Sequence, residues 1–177
     1  MFINTNSLLV LSGGPSSGKT NIVLAAALNI LPVGIFSLEL SKAEVMDRLI
    51  VLRSGVSHLN FKRGELSENE AHGAAHAMGY LGKKDIFIDD TPGISVAGIK
   101  ETLKELKNIC KPKLIVIDGL ELIPPTRKML SREKEIEETR KELDAIAREL
   151  EIPILATSMA RRDTYPVRLL QSGGTMG

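Results

Sequence analysis

The chain has 177 residues, 43% of them hydrophobic and 25% charged, with a formal net charge of +1. That size fills one core rather than two, and that composition excludes a disordered chain. So small a charge excludes bulk attraction to nucleic acid and leaves only local patches; four Phe, two Tyr and no Trp are too few for a base-stacking surface.

"SLLVLS" (7–12) is the first predicted strand, and "GGPSSGKT" follows it directly. The spacing G-x-x-x-x-G-K-[ST] is that of a phosphate-binding loop, whose backbone N–H groups converge on phosphate oxygens at a helix N-terminus. Gly13, Gly14, Pro15, Ser16, Ser17, Gly18, Lys19, Thr20 and Asn21 are therefore the candidate nucleotide-binding residues. Lys19 is expected on the β- and γ-phosphates and Thr20 on Mg²⁺. A helix is predicted over 18–30. The apolar run "NIVLAAALNILPVGIF" is broken by Asn29, Pro32 and Gly34, and "MFINTNS" lacks a signal-peptide pattern. A cytoplasmic protein without a membrane segment is expected.

The second strand is "VGIFSLE" (33–39), followed by the capping box "SKAE" and a helix over 41–54. A second capping box, "SENE", opens a helix over 67–82, each Ser accepting from the N3 amide while the Glu reaches back. "DIFIDD" (85–90) is the third strand, and its Asp89 and Asp90 read as turn acids. A helix over 95–109 leads to the lone cysteine, Cys110, at its end, which excludes an internal disulfide framework. "KLIVID" (113–118), a helix over 131–150 and "PILATSM" (153–159) complete the pattern. The strands are continuous apolar runs alternating with helices, as in a mostly parallel sheet covered by helices on both faces. A single α/β domain over residues 1–177 is expected. His58, His72 and His76 lack the partners of a metal set.

Hydrolysis would need acids beside the loop. Asp118 closes "KLIVID", where a Walker-B aspartate belongs, and Glu39 closes "VGIFSLE". Parallel sheets gather ligands at strand C-termini, so both acids can face the loop. The helix "SREKEIEETRKELDAIAREL" reads as a solvated face laced by pairs such as Arg140–Asp144.

Across roughly Leu8 to Arg162 the chain resembles the C-terminal ATPase domain of DnaB-type replicative helicases. "GGPSSGKT", "FSLELSKAEVMDRL", "RGELSENE", "IFIDDTPGISVAGIK", "LIVIDGLELI" and "SREKEIEETRKELDAIARELEIPILATS" are similar, in order, to that family's segments. The resemblance implies a RecA-like P-loop NTPase with strand order 3-2-4-5-1. It implies Mg²⁺ with ATP as cofactor, held by Lys19, Thr20 and the Walker-B Asp118, with Glu39 as catalytic base. ATP or ADP, single-stranded DNA, further copies of the chain and a helicase partner are the implied partners. Two loops match the family's DNA-holding positions: "IPPTRKMLSR", with Arg127, Lys128 and Arg132, and "ARRDTYPVR", with Arg161, Arg162 and Arg168. A solvated charged loop looks the same in sequence.

The chain also departs from that family. Its fifth strand reads "ATSM" where the family ends L-S-Q, so Met159 stands at the glutamine that senses the γ-phosphate; a thioether cannot donate a hydrogen bond. Ser158 or Thr157 are the alternatives for that role. Gly119 and Glu121 replace a tyrosine and a glutamine. This sequence also has no counterpart to the family's N-terminal domain, linker helix and arginine finger, so a self-sufficient helicase is not expected. Two readings remain open: an ATPase with weak or partner-dependent hydrolysis, and a catalytically poor paralogue that holds nucleotide as a regulator or adaptor of a helicase.

Overall fold

The computed structural model describes residues 6–159 and the backbone of 168–171. The elements run β1 (Leu8–Gly13), α1 (Lys19–Asn29), β2 (Val33–Ser37), α2 (Lys42–Ser54), α3 (His58–Arg63), α4 (Glu68–Leu81) and β3 (Ile86–Asp89). They continue with α5 (Val96–Ile109), β4 (Leu114–Asp118), a 3₁₀ turn (Leu120–Leu122), α6 (Arg132–Leu150), β5 (Ile154–Met159) and β6 (Arg168–Gln171).

One sheet holds the strands in the order β3-β2-β4-β5-β1-β6. The first five are parallel, in the expected 3-2-4-5-1 order, and β6 lies antiparallel on β1. Because side chains alternate across a strand, the continuous apolar runs fill two cores at once. Leu8 and Val10 of β1 and Ile115 and Ile117 of β4 pack with Ile99 and Leu103 of α5 and Leu143 and Ile146 of α6. Leu9, Leu11, Leu114 and Val116 point the other way, onto Val23 and Leu24 of α1, Leu49 of α2 and Ala77 of α4. This is a RecA-like α/β architecture.

Local chemistry sets the helix ends. Ser41, Ser57, Ser67, Ser95 and Ser131 cap α2 through α6, and both expected capping boxes close. Helix α1 differs: its N-cap is Gly18, with φ +83° and no side-chain cap. Asp89 accepts from the Thr91 amide at 2.9 Å and Asp90 from the Lys42 amide at 2.7 Å, so both are turn and cap acids. Cys110 is half-buried at the end of α5, and burial pushes its thiol pKa up.

Four local differences from the sequence reading stand out. The short α3 occupies a stretch read as a connection, and Arg168, read as part of a loop, opens β6. The second strand ends at Ser37, which leaves Glu39 in the bend beyond it. Arg140 does not pair with Asp144; it reaches the Ser158 hydroxyl at 2.9 Å, while Asp144 takes the Leu8 amide at 2.9 Å and Arg148 at 3.0 Å. Arg140 turns inward because α6 packs on the sheet face over β1 and β5, so a pair drawn along the helix surface loses to a partner beneath it. No helix among the described residues is long and apolar enough to cross a membrane.

Candidate functional site

The loop Gly13–Thr20 leaves β1 at the C-terminal edge of the sheet, where Gly13 and Gly14 are buried and residues 15–18 exposed. Ser16 (φ +55°) and Gly18 (φ +83°) both adopt left-handed backbone. Alternation of this kind turns successive N–H groups toward one concavity, and the first turn of α1 adds amides that no side chain caps. Lys19 folds back over the loop: Nζ donates to Gly13 O at 2.8 Å and Gly14 O at 2.7 Å. Thr20 is half-buried in the first turn of α1. Asn21 is exposed and accepts from Arg48 of α2 at 3.4 Å.

Asp118 ends β4 and is only 3% exposed. Its Oδ1 accepts the Thr157 hydroxyl at 2.6 Å, and its Oδ2 is buried with no hydrogen-bond partner among the described residues. A buried carboxylate oxygen left open is costly unless something fills it, and a hard oxygen donor suits Mg²⁺. The residues present therefore fit a divalent cation. Gly119 follows with φ +101°, and a Cβ there would lie 3.0 Å from Glu39 Cγ. Glycine thus brings the stem of Glu39 against the backbone just after Asp118. Desolvation, then the Asp118 carboxylate, raise the Glu39 pKa above the usual glutamate range, with Lys19 and Arg48 opposing.

A second polar cluster ties the 3₁₀ turn after β4 to the end of β5. Glu121 Oε1 accepts from the Ser158 hydroxyl at 2.5 Å and the Met159 amide at 2.6 Å. The Met159 side chain is half-exposed, with Sδ 3.9 Å from Lys19 Nζ. Glu121 carried one signal in the sequence, its place three residues after Asp118, which does not say that it points inward.

The basic loop divides. Arg127 and Lys128 are exposed between the 3₁₀ turn and α6. Arg132 is engaged: it pairs with Glu135 at 2.9 Å and donates to the Glu121 and Ile123 carbonyls. Arg161 and Arg162 lie outside the described residues. The structure thus brings Lys19, Asp118, Glu39 and Met159 to one edge of the sheet and holds Arg132 in a local fold.

Residues 3–166 match the model of the DnaB-like helicase C-terminal domain. The chain is 36% identical over 163 residues to the replicative DNA helicase DnaC of Bacillus subtilis, and 35% identical to the replicative DNA helicase DnaB of Geobacillus stearothermophilus. Each alignment covers 89% of this chain and 36% of the relative, so the chain spans about a third of the length of these relatives. Among solved structures, a DnaB-like replicative helicase studied with its primase interactions superimposes with a TM-score of 0.80 at 28% identity, over 89% of this chain and 39% of that one. A second solved structure, of an ATPase domain, gives 0.80 at 27% identity, covering 89% of this chain and 58% of its own. The chain belongs to the DnaB-like helicase C-terminal domain family.

Proposed function

We propose that this is a cytoplasmic Mg·ATP-binding P-loop domain that acts in DNA replication and hydrolyses ATP weakly, or only with a partner. One observation carries the reading. Lys19 and the open oxygen of Asp118 stand on either side of the end of β5, Asp118 on Thr157 and Lys19 beside Met159. A triphosphate in the loop would take Lys19 from its carbonyl partners, and residues 13–18 with the first α1 amides would hold the phosphates. Thr20 and Asp118 Oδ2 would hold Mg²⁺, which supplies charge neutralisation at the phosphate oxygens when bound. Glu39, kept less acidic than usual, is the base that orients and deprotonates water. Exposed Arg127 and Lys128 are the candidates for contact with single-stranded DNA, together with Arg161 and Arg162.

A specific observation favours the second reading, a nucleotide-holding regulator or adaptor of a helicase. Met159, at the place of the family's sensing glutamine, offers Lys19 only a thioether, and its strand end is already held by Glu121. No hydrogen-bond donor at 159 then reports the γ-phosphate.

The experiment is Mg·ATP hydrolysis across protein concentration, with and without single-stranded DNA, beside direct ATP binding and with Lys19→Ala as blank. Hydrolysis above the blank that rises with concentration or DNA is the expected result. Tight ATP binding with hydrolysis at the blank moves the assignment to the regulator, and ATP affinity unchanged by Lys19→Ala overturns the site.

A further inference from the structure

Thr157 is buried in β5, 1% exposed, after the apolar run Ile154–Ala156. It stands where the resembled L-S-Q ending has its leucine. Its hydroxyl sits between two groups of the neighbouring strand end, 2.8 Å from the Gly119 nitrogen and 2.6 Å from Asp118 Oδ1. Chemistry fixes both directions. The amide can only donate, so the hydroxyl oxygen accepts there, and its single proton goes to the carboxylate. The left-handed turn at Gly119, φ +101°, brings that amide onto Thr157.

The two Asp118 oxygens are thereby made unequal. Oδ1 is committed to Thr157, and Oδ2 is buried and has no hydrogen-bond partner among the described residues. The terminal torsion of an aspartate is soft and nearly two-fold, so a carboxylate without such a bond turns freely between its settings. We infer that Thr157 is a positioning residue that locks the Asp118 carboxylate and presents Oδ2 alone to the divalent cation arriving with the nucleotide. The inference rests on the reading of Asp118 as a Mg²⁺ ligand. The competing role is a local one: Thr157 would only satisfy two polar groups in the core.

Metal dependence separates the two. ATP affinity of the whole chain is measured by calorimetry in EDTA and then across a MgCl₂ titration, for wild type, Thr157→Val, Thr157→Ser and Asp118→Asn. In Thr157→Val, metal-free ATP affinity is expected to stay within about twofold. The Mg²⁺ concentration giving half of the metal-dependent gain should rise about tenfold, the loss expected of one hydrogen bond to a charged group. Thr157→Ser should restore the wild-type midpoint. If Thr157→Val does not fold, Thr157→Ala against Thr157→Ser decides, since those two differ by the hydroxyl alone. An unmoved midpoint, or an equal loss of metal-free and metal-dependent binding, overturns the positioning role. Wild type without any Mg²⁺-dependent gain overturns the Asp118 reading as well. A gain abolished by Asp118→Asn but indifferent to every Thr157 variant overturns this inference alone.

Discussion

The Met159 amide donates to Glu121 Oε1 at 2.6 Å, and the same oxygen accepts from the Ser158 hydroxyl at 2.5 Å. One carboxylate oxygen therefore fixes the end of β5 from the turn that follows Asp118. Glu121→Ala leaves a backbone amide and a hydroxyl without their acceptor and should cost ~1–3 kcal/mol. Urea denaturation measures it. Glu121→Gln keeps an amide oxygen there and should lose less; equal losses would show that charge, rather than acceptor geometry, holds the strand end.

Glu39→Gln should separate chemistry from stability. As a general base Glu39 is expected to contribute about 10²-fold or more to hydrolysis, while ATP binding should be retained. The pH dependence follows from its raised pKa. The folded state resists ionising Glu39, so its stability contribution is full below the ordinary glutamate value, ~4.3, and is lost as pH rises through the higher folded value. Glu39→Gln, neutral throughout, should match wild type in acid and exceed it at neutral pH, read as urea midpoints across that range.

Arg127 and Lys128 should behave unlike Arg132. Replacing the exposed pair with Ala should weaken single-stranded DNA binding and flatten its dependence on salt, because with fewer phosphate contacts fewer counterions are released. Arg132→Ala should instead lower stability, since its guanidinium holds the Glu121 and Ile123 carbonyls and Glu135. DNA titrations at several salt concentrations beside thermal melts make the comparison. An Arg127/Lys128 variant with unchanged salt dependence would remove this loop from the interface.

Gly34 tests the packing of α5 on the sheet. A Cβ there would lie 2.9 Å from Ile115 Cδ1 and 2.9 Å from Leu106 Cδ2. Gly34→Ala should cost ~1–3 kcal/mol through overpacking, measured by urea denaturation, without altering ATP affinity per folded molecule.

The parts legible in the sequence were those with a local physical signature. Strands such as "KLIVID" were readable because burial on both faces makes them continuously apolar, and helix starts such as Ser41 because a capping box needs a serine and a glutamate three residues on. Helix α3 offered neither signal: it has six residues and none of them is buried. Strand β6 has four residues and takes its place from pairing with β1 rather than from its own pattern. At the site, the place of the Gly13–Thr20 loop between β1 and α1 was legible because its signal is written in consecutive residues. Glu121 and Arg140 were not, since their partners Ser158 and Met159 come from another strand and only the fold decides which way these side chains turn.

The strand order also has a consequence for how the chain is made. Among the described residues β1, which carries the phosphate loop, pairs only with β5 and β6; Leu8 is aligned with Ile154, and Gly13 with Met159. The earliest of these six strands in sequence is therefore among the last of them to find a neighbour, and contacts of such sequence separation form slowly. Until β5 has been synthesised, Leu8–Leu11 must wait as an unpaired apolar segment, and Lys19, Asp118 and Met159 have no common edge on which to meet. Assembly of the site would then report the arrival of β5: a nascent chain halted before residue 154 holds the whole loop and Asp118 but lacks the strand that sets them side by side.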